Sequence, residues 1–187
     1  MKIAIEGPDY SGKTTVADIL EVSYQYPRFS QPGVDFLRNL ISSEFEDYKP
    51  SEEILALAFS LDRTIQDKYM TRDHDVFITD RSVLSSLIMQ GEKIGHKKVK
   101  QINQFVDYPD VVFYLKIDEK ELEKRVISRG EGDYYDKKAH KMLKLYDEYM
   151  KGLIEKGVDN LFVINARDRL SRDIAEEIHQ KIEEVLS

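Results

Sequence analysis

Four short runs of apolar, largely β-branched residues punctuate the chain: KIAIE at 2–6, DVFITD at 75–80, DVVFYLKI at 110–117 and NLFVIN at 160–165. Each is nearly continuous in its hydrophobicity and bounded by polar or turn residues, the pattern of a strand covered on both faces. Between them apolar positions recur at helical period in TTVADILEV (14–22), SEEILALAFSLDRTIQDKYM (51–70), VLSSLIM (83–89), EKELEKRVISR (119–129), KKAHKMLKLYDEYMKGLIEKG (137–157) and SRDIAEEIHQKIEEVL (171–186). The second of these opens on Ser51 with a glutamate close behind, a capping-box pattern. Strands alternating with helices predict parallel strands and right-handed crossovers, hence an α/β fold with a central parallel sheet flanked by helices. Regularity breaks at YQYPRFSQPG (24–33) and SRGEGDYYDK (128–137), and HKKVK (96–100) reads as a solvated basic turn. With no repeat or linker, the 187 residues suit one domain spanning the whole chain.

Composition narrows the classes. A net charge of -7 argues against a protein that coats nucleic acid, although a few well-placed cations suffice for a phosphate. No run approaches the ~18 apolar residues of a membrane span. The absence of cysteine excludes disulfides and thiolate metal sites, and no secretory pattern opens the chain, so a reducing, cytoplasmic compartment is expected. His74, His96, His140 and His179 are too scattered to suggest a metal site.

The chemistry begins directly after the first strand. GPDYSGKT, Gly7 to Thr14, satisfies G-x-x-x-x-G-K-[ST], with a strand before it and a helix after it. Such a loop wraps its N–H groups around a phosphate chain at the positive end of a helix. Gly7, Ser11, Gly12, Lys13, Thr14 and Thr15 are therefore the candidate nucleotide cradle, Lys13 reaching the outer phosphates and Thr14 a Mg²⁺ ion. Asp80 and Arg81 stand at the end of the second strand, where sheet ends face a ligand crevice. Asp80 could hold Mg²⁺ and Arg81 a phosphate, or the pair could simply start a helix. In the helix 51–70, Ile54, Leu57, Ala58, Leu61 and Ile65 form one apolar stripe at about 100° per residue. Phe59 falls about 120–140° from its centre with Arg63 beside it one turn later. A ring that stacks on a base and a guanidinium that reads its edge explain this pair; so does a second packing surface. Arg125 and Arg129 precede a glycine-bearing acidic loop, which suits either a lid or a solvated helix end.

Together these segments resemble the thymidylate kinase family of P-loop nucleoside monophosphate kinases. EGPDYSGKTT is similar to its phosphate loop, YPRFSQPG to its Phe-Pro-x-Arg region and AFSLDR to its base-binding segment. DRSVLSSLIMQG is similar to its Asp-Arg-Tyr motif, YPDVVFYLKID to its fourth strand and RGEGDYYD to its lid. The resemblance implies a single-domain P-loop kinase with a mobile lid at about 129–139, moving a phosphoryl group from ATP, with Mg²⁺, to dTMP or a close deoxynucleotide. It assigns Asp9 to the acceptor sugar, Phe59, Arg63 and Ser86 to the base, Arg81 and Arg28 to the acceptor phosphate, and Arg129 to catalysis in the lid. A homodimer is implied, with its face on the apolar helix around SSLIM. The chain departs from the family pattern at Tyr10, Ser82, Met89 and Tyr134. Those at Tyr10 and Tyr134 leave Arg129 as lid arginine alone or with Arg125, Lys137 or Lys138, and those at Ser82 and Met89 bear on selectivity for dTMP. Two other readings are a deoxyribonucleoside kinase, in which the carboxylate of the DRS motif would act as base, and a nucleotide-binding switch that transfers nothing.

Overall fold

In a computed structural model of the chain the described residues are 1–42, 50–130 and 133–187, those at 36, 40–42 and 133–137 as backbone only. Five strands, β1 (Lys2–Glu6), β2 (Arg28–Ser30), β3 (Phe77–Asp80), β4 (Val111–Lys116) and β5 (Leu161–Asn165), form one sheet in the order β2-β3-β1-β4-β5. Every neighbouring pair is parallel. The helices are α1 (Lys13–Tyr24), α2 (Asp35–Ser42), α3 (Glu52–Ile65), α4 (Val83–Met89), α5 (Gly91–Ile94), α6 (His96–Ile102), α7 (Glu119–Arg129), α8 (Asp133–Glu155) and α9 (Ser171–Leu186). A π-helical turn, Gln66–Met70, continues α3.

Alternation along the strands divides the core into two layers. Ile3 and Ile5 of β1 and Val111, Phe113 and Leu115 of β4 pack with Val16 and Leu20 of α1, Leu122 of α7 and Ile174 and Ile178 of α9. Ala4, Val112 and Tyr114 face the other way, onto Leu84, Leu87 and Ile88 of α4, Val99 of α6 and Met142, Tyr146 and Met150 of α8. Truncating one such side chain to alanine costs about 2–5 kcal/mol.

The structure corrects the sequence reading at several places. The break at 24–33 contains β2, which is only three residues long, half-buried and paired on one side. HKKVK belongs to α6, its lysines flanking the fully buried Val99. The apolar stripe on α3 does not face the core: Ile54, Leu57 and Leu61 are 37%, 55% and 52% exposed. Of the stripe Ala58 alone is buried, together with Ala56, Ser60, Asp62 and Arg63, whose polar groups find hydrogen-bond partners inside the cleft. The SSLIM helix α4 cannot present a dimer face, since Val83, Leu84, Leu87 and Ile88 are all buried in its own core. Of the expected lid, residues 131–132 and the side chains of 133–137, Tyr134 and Lys137 among them, lie outside the described residues.

Candidate active site

The carboxyl ends of β1, β2 and β3 deliver three loops to one crevice, as parallel sheets do. After Glu6 the chain turns at Gly7, where a Cβ would lie 2.7 Å from Ser11 Oγ and 2.8 Å from the Leu115 carbonyl oxygen. A side chain there would push the loop off β4. Gly12, at φ 92°, takes the left-handed conformation that opens α1. The first turn of α1 has no acidic residue and no side-chain cap, so its N–H groups remain available to an anion. Lys13 Nζ folds back to donate to the Pro8 carbonyl at 2.6 Å. Burial, then the Arg81 charge, pushes the Lys13 ammonium down to about 7, while Asp9, Asp80 and Glu6 act in the opposite direction.

Thr14 Oγ1 donates to Asp80 Oδ2 at 2.8 Å, bringing a hydroxyl and a carboxylate together between the loop and β3. These are hard oxygen donors, suited to Mg²⁺. The described residues contain no cluster of three or more His, Cys, Asp or Glu able to hold a metal. The pair thus fits an ion that takes its remaining ligands from substrate phosphates and water.

Arg81 forms a second wall of the crevice, beside the loop residue Asp9. Its backbone lies at φ 74°, a conformation that costs a non-glycine residue about 1–3 kcal/mol. It is held by the Arg81 N–H to Ile5 carbonyl bond of 3.2 Å and by both ends of its guanidinium. NH2 donates to Asp9 Oδ1 at 2.5 Å and NH1 to the Tyr146 hydroxyl at 2.8 Å. Burial raises the Asp9 pKa, but Arg81, Lys13 and Lys138 outweigh it and hold the carboxyl below its ordinary value. Behind this wall the fully buried Glu6 accepts from the Ser82 N–H and Oγ, both at 2.7 Å, from Ser85 Oγ at 2.8 Å and from Tyr146 at 3.1 Å.

A cavity of about 430 Å³ joins the two walls. Of the residues singled out in the sequence, Asp9, Gly12, Lys13, Thr14 and Thr15 line it from the loop and the start of α1, and Asp80, Arg81, Arg129 and Lys138 line it beside them. The Arg129 guanidinium rests 5.1 Å from the centre of the Tyr10 ring. Gly7 and Ser11 shape the loop without lining the cavity, and Arg28 pairs with Asp18 and donates to Ser30 Oγ. Arg125 is not a companion to Arg129: it donates to Glu121, to the Tyr10 carbonyl at 2.9 Å and to the Ala166 carbonyl at 2.6 Å, tying the loop to the end of β5.

Phe59 and Arg63 do meet, with 5.4 Å between the guanidinium carbon and the ring centre. Arg63 is 1% exposed and donates to Gln31 Oε1 at 2.6 Å, Ser86 Oγ at 2.9 Å and Asn103 Oδ1 at 3.4 Å. Burial pushes it down to about 10. A cation caged by neutral oxygens suits a neutral carbonyl as its next partner. Gln31 also lines the cavity, linking the cage to the phosphate walls. The loop that carries Gln31 is fixed by Asp62, which accepts from the Gly33 and Val34 N–H groups at 2.9 and 2.8 Å. Glu6, Gln31, Asp62, Asn103 and Tyr146 were not singled out in the sequence. Only Glu6 carried a signal, as a carboxylate ending an apolar strand beside the glycine loop.

The probable thymidylate kinase 1 of Saccharolobus solfataricus is 30% identical over 192 residues, covering 96% of this chain and 94% of that protein. Among solved structures, a thymidylate kinase from Ehrlichia chaffeensis superposes with TM-score 0.71 at 20% identity over 98% of each chain. A deoxyadenosine kinase from M. mycoides, solved with its products, gives TM-score 0.72 at 21% identity over 98% of this chain and 100% of its own. These two structures establish the fold alone. The thymidylate kinase family profile matches residues 5–182, and the chain belongs to that family.

Proposed function

We propose that the protein transfers the γ-phosphoryl group of ATP to dTMP, giving dTDP and ADP. The observation that carries this reading is that Lys13, Thr14, Arg81 and Arg129 all line one cavity. It offers one seat for a donor's polyphosphate and a second for another anion. Base recognition falls to the Arg63 cage and Phe59, whose ring stacks on thymine while the guanidinium and Ser86 meet its edge.

The acceptor's phosphate already carries nucleophilic oxygens near neutral pH, so no general base is needed. A bond forms from one of these oxygens to the γ-phosphorus as the bond to the β–γ bridging oxygen breaks and ADP leaves with the electron pair. The chain's task is to align the two polyanions and neutralise the equatorial oxygens. Lys13 and the N–H groups of Gly12 and Thr14 hold the donor, Arg81 holds the acceptor phosphate, Asp9 holds the acceptor sugar, and Arg129 reaches the transferring group. Thr14 and Asp80 would hold Mg²⁺, which supplies charge neutralisation on the donor phosphates. Arg28, bound to Asp18 and Ser30, supports the acceptor side.

We place the enzyme in the cytoplasm as a homodimer. Among the described residues no helix is long and apolar enough to cross a membrane. The exposed Ile54, Leu57 and Leu61 stripe on α3 is the apolar face suited to a second copy.

Purified protein with ATP, Mg²⁺ and a panel of nucleosides and nucleotides, products separated directly, tests the reaction. The expected outcome is dTDP from dTMP with thymidine unreacted. Phosphorylation of thymidine in its place would make the protein a nucleoside kinase, and acceptor-independent ADP release would make it a hydrolysing switch.

A further inference from the structure

Arg81 is held at two ends by groups of different character. Asp9, on NH2, lines the cavity, whereas Tyr146, on NH1, is wholly buried behind it. The phenol has one proton, and two acceptors stand ready for it, Glu6 Oε2 at 3.1 Å and Ser85 Oγ at 2.7 Å. Its oxygen is therefore left to accept from Arg81. Burial pushes the phenol pKa up, so it stays protonated. Tyr146 also sits on α8 two turns after Ala139, on the same buried side of the helix. Ala139 and Lys138 line the cavity, so one helix brings a cation to the cavity wall and an anchor to Arg81.

We propose that Tyr146 is a positioning residue for the acceptor-phosphate arginine: its hydroxyl fixes NH1 of Arg81, so that NH2 exchanges between Asp9 and the incoming phosphate without the side chain leaving its place. The proposal rests on Arg81 holding the acceptor phosphate, as argued above. An arginine has four side-chain torsions to order, and a fixed NH1 removes most of that cost before the substrate arrives. The hydroxyl contributes through the phosphate alone, because the base is bound elsewhere, in the Arg63 cage.

The test compares calorimetric binding of dTMP and of thymidine, which lacks the phosphate, to the wild type, Tyr146→Phe and Tyr146→Gln. Tyr146→Phe is expected to weaken dTMP about tenfold, the value of one hydrogen bond to a charged group. Thymidine affinity and the KM for ATP should stay within about twofold, a split that general loosening of the fold would not produce. Tyr146→Gln, which returns an acceptor oxygen to Arg81, is expected to recover most of the lost dTMP affinity. Equal weakening of both ligands, or none, overturns the proposal. If Tyr146→Phe fails to fold, Tyr146→Met, which also lacks an acceptor oxygen, takes its place: a dTMP-to-thymidine ratio well below that of Tyr146→Gln supports the role, and equal ratios overturn it. Should the wild type favour another nucleoside and its monophosphate, that pair replaces these ligands and only the dTMP assignment falls. If no monophosphate binds more tightly than its nucleoside, both fall.

Discussion

Lys13 shows how a single buried charge ties binding to protons. Its ammonium, 6% exposed, loses hydration and faces Arg81, which together bring its pKa from 10.5 to about 7. In the free enzyme at pH 8 the neutral amine therefore predominates. A donor polyphosphate stabilises the charged form and raises that pKa again. ATP binding at pH 8 should take up a proton, the uptake should vanish below about pH 6 where the lysine is already charged, and affinity should fall as pH rises above 7. Calorimetry in buffers of differing ionisation enthalpy reads this directly, and Lys13→Ala should abolish the uptake. The same variant should retain the wild-type melting behaviour while turnover falls by at least about 10²-fold, in line with loss of one transition-state donor. Near-normal turnover would remove the glycine loop from the reaction.

Among the elements, α3 departs furthest from its hydrophobic pattern. It turns Ser60, Asp62 and Arg63 inward and leaves leucines outside, and Asp62 then latches the loop after β2 through Gly33 and Val34. Gln66 donates its amide to Asp62 at 2.6 Å while its own Oε1 has no partner. Asp62→Ala should lower stability by about 1–3 kcal/mol, since it strands two N–H groups. Asp62→Asn should cost less, because Gln66 can rotate its amide and accept from the new NH₂ with the oxygen now unpaired. Denaturant midpoints for the two variants check the order, and equal losses would refute the latch. The four long strands and the glycine loop were legible in the sequence because burial on both faces and a fixed motif leave local marks. β2 left none, being a three-residue edge strand, and α6 was hidden by lysines around one buried valine. The inverted α3 and the Tyr146 anchor were illegible for another reason: hydrogen-bond partners brought from 23 to 140 residues away make those polar positions internal.

For the whole molecule, an acidic protein gathers Lys13, Arg81, Arg129 and Lys138 around one cavity, so that anionic substrates meet local attraction despite the net charge of -7. The outward stripe of α3 makes the oligomeric prediction specific. Leu57→Glu combined with Leu61→Lys should turn a dimer into a folded monomer, read by sedimentation and circular dichroism, whereas a monomeric wild type would remove the proposed face. The order β2-β3-β1-β4-β5 also has a consequence for how the chain is made. Of the five strands, β1 precedes the others in the chain yet lies in the centre of the sheet, with β3 and β4 as its hydrogen-bonded neighbours. On the ribosome, KIAIE therefore stays unpaired until Phe77–Asp80 has emerged and keeps one edge open until Val111–Lys116 follows, an interval of exposure set by topology. The phosphate cradle, encoded directly after β1, matures late.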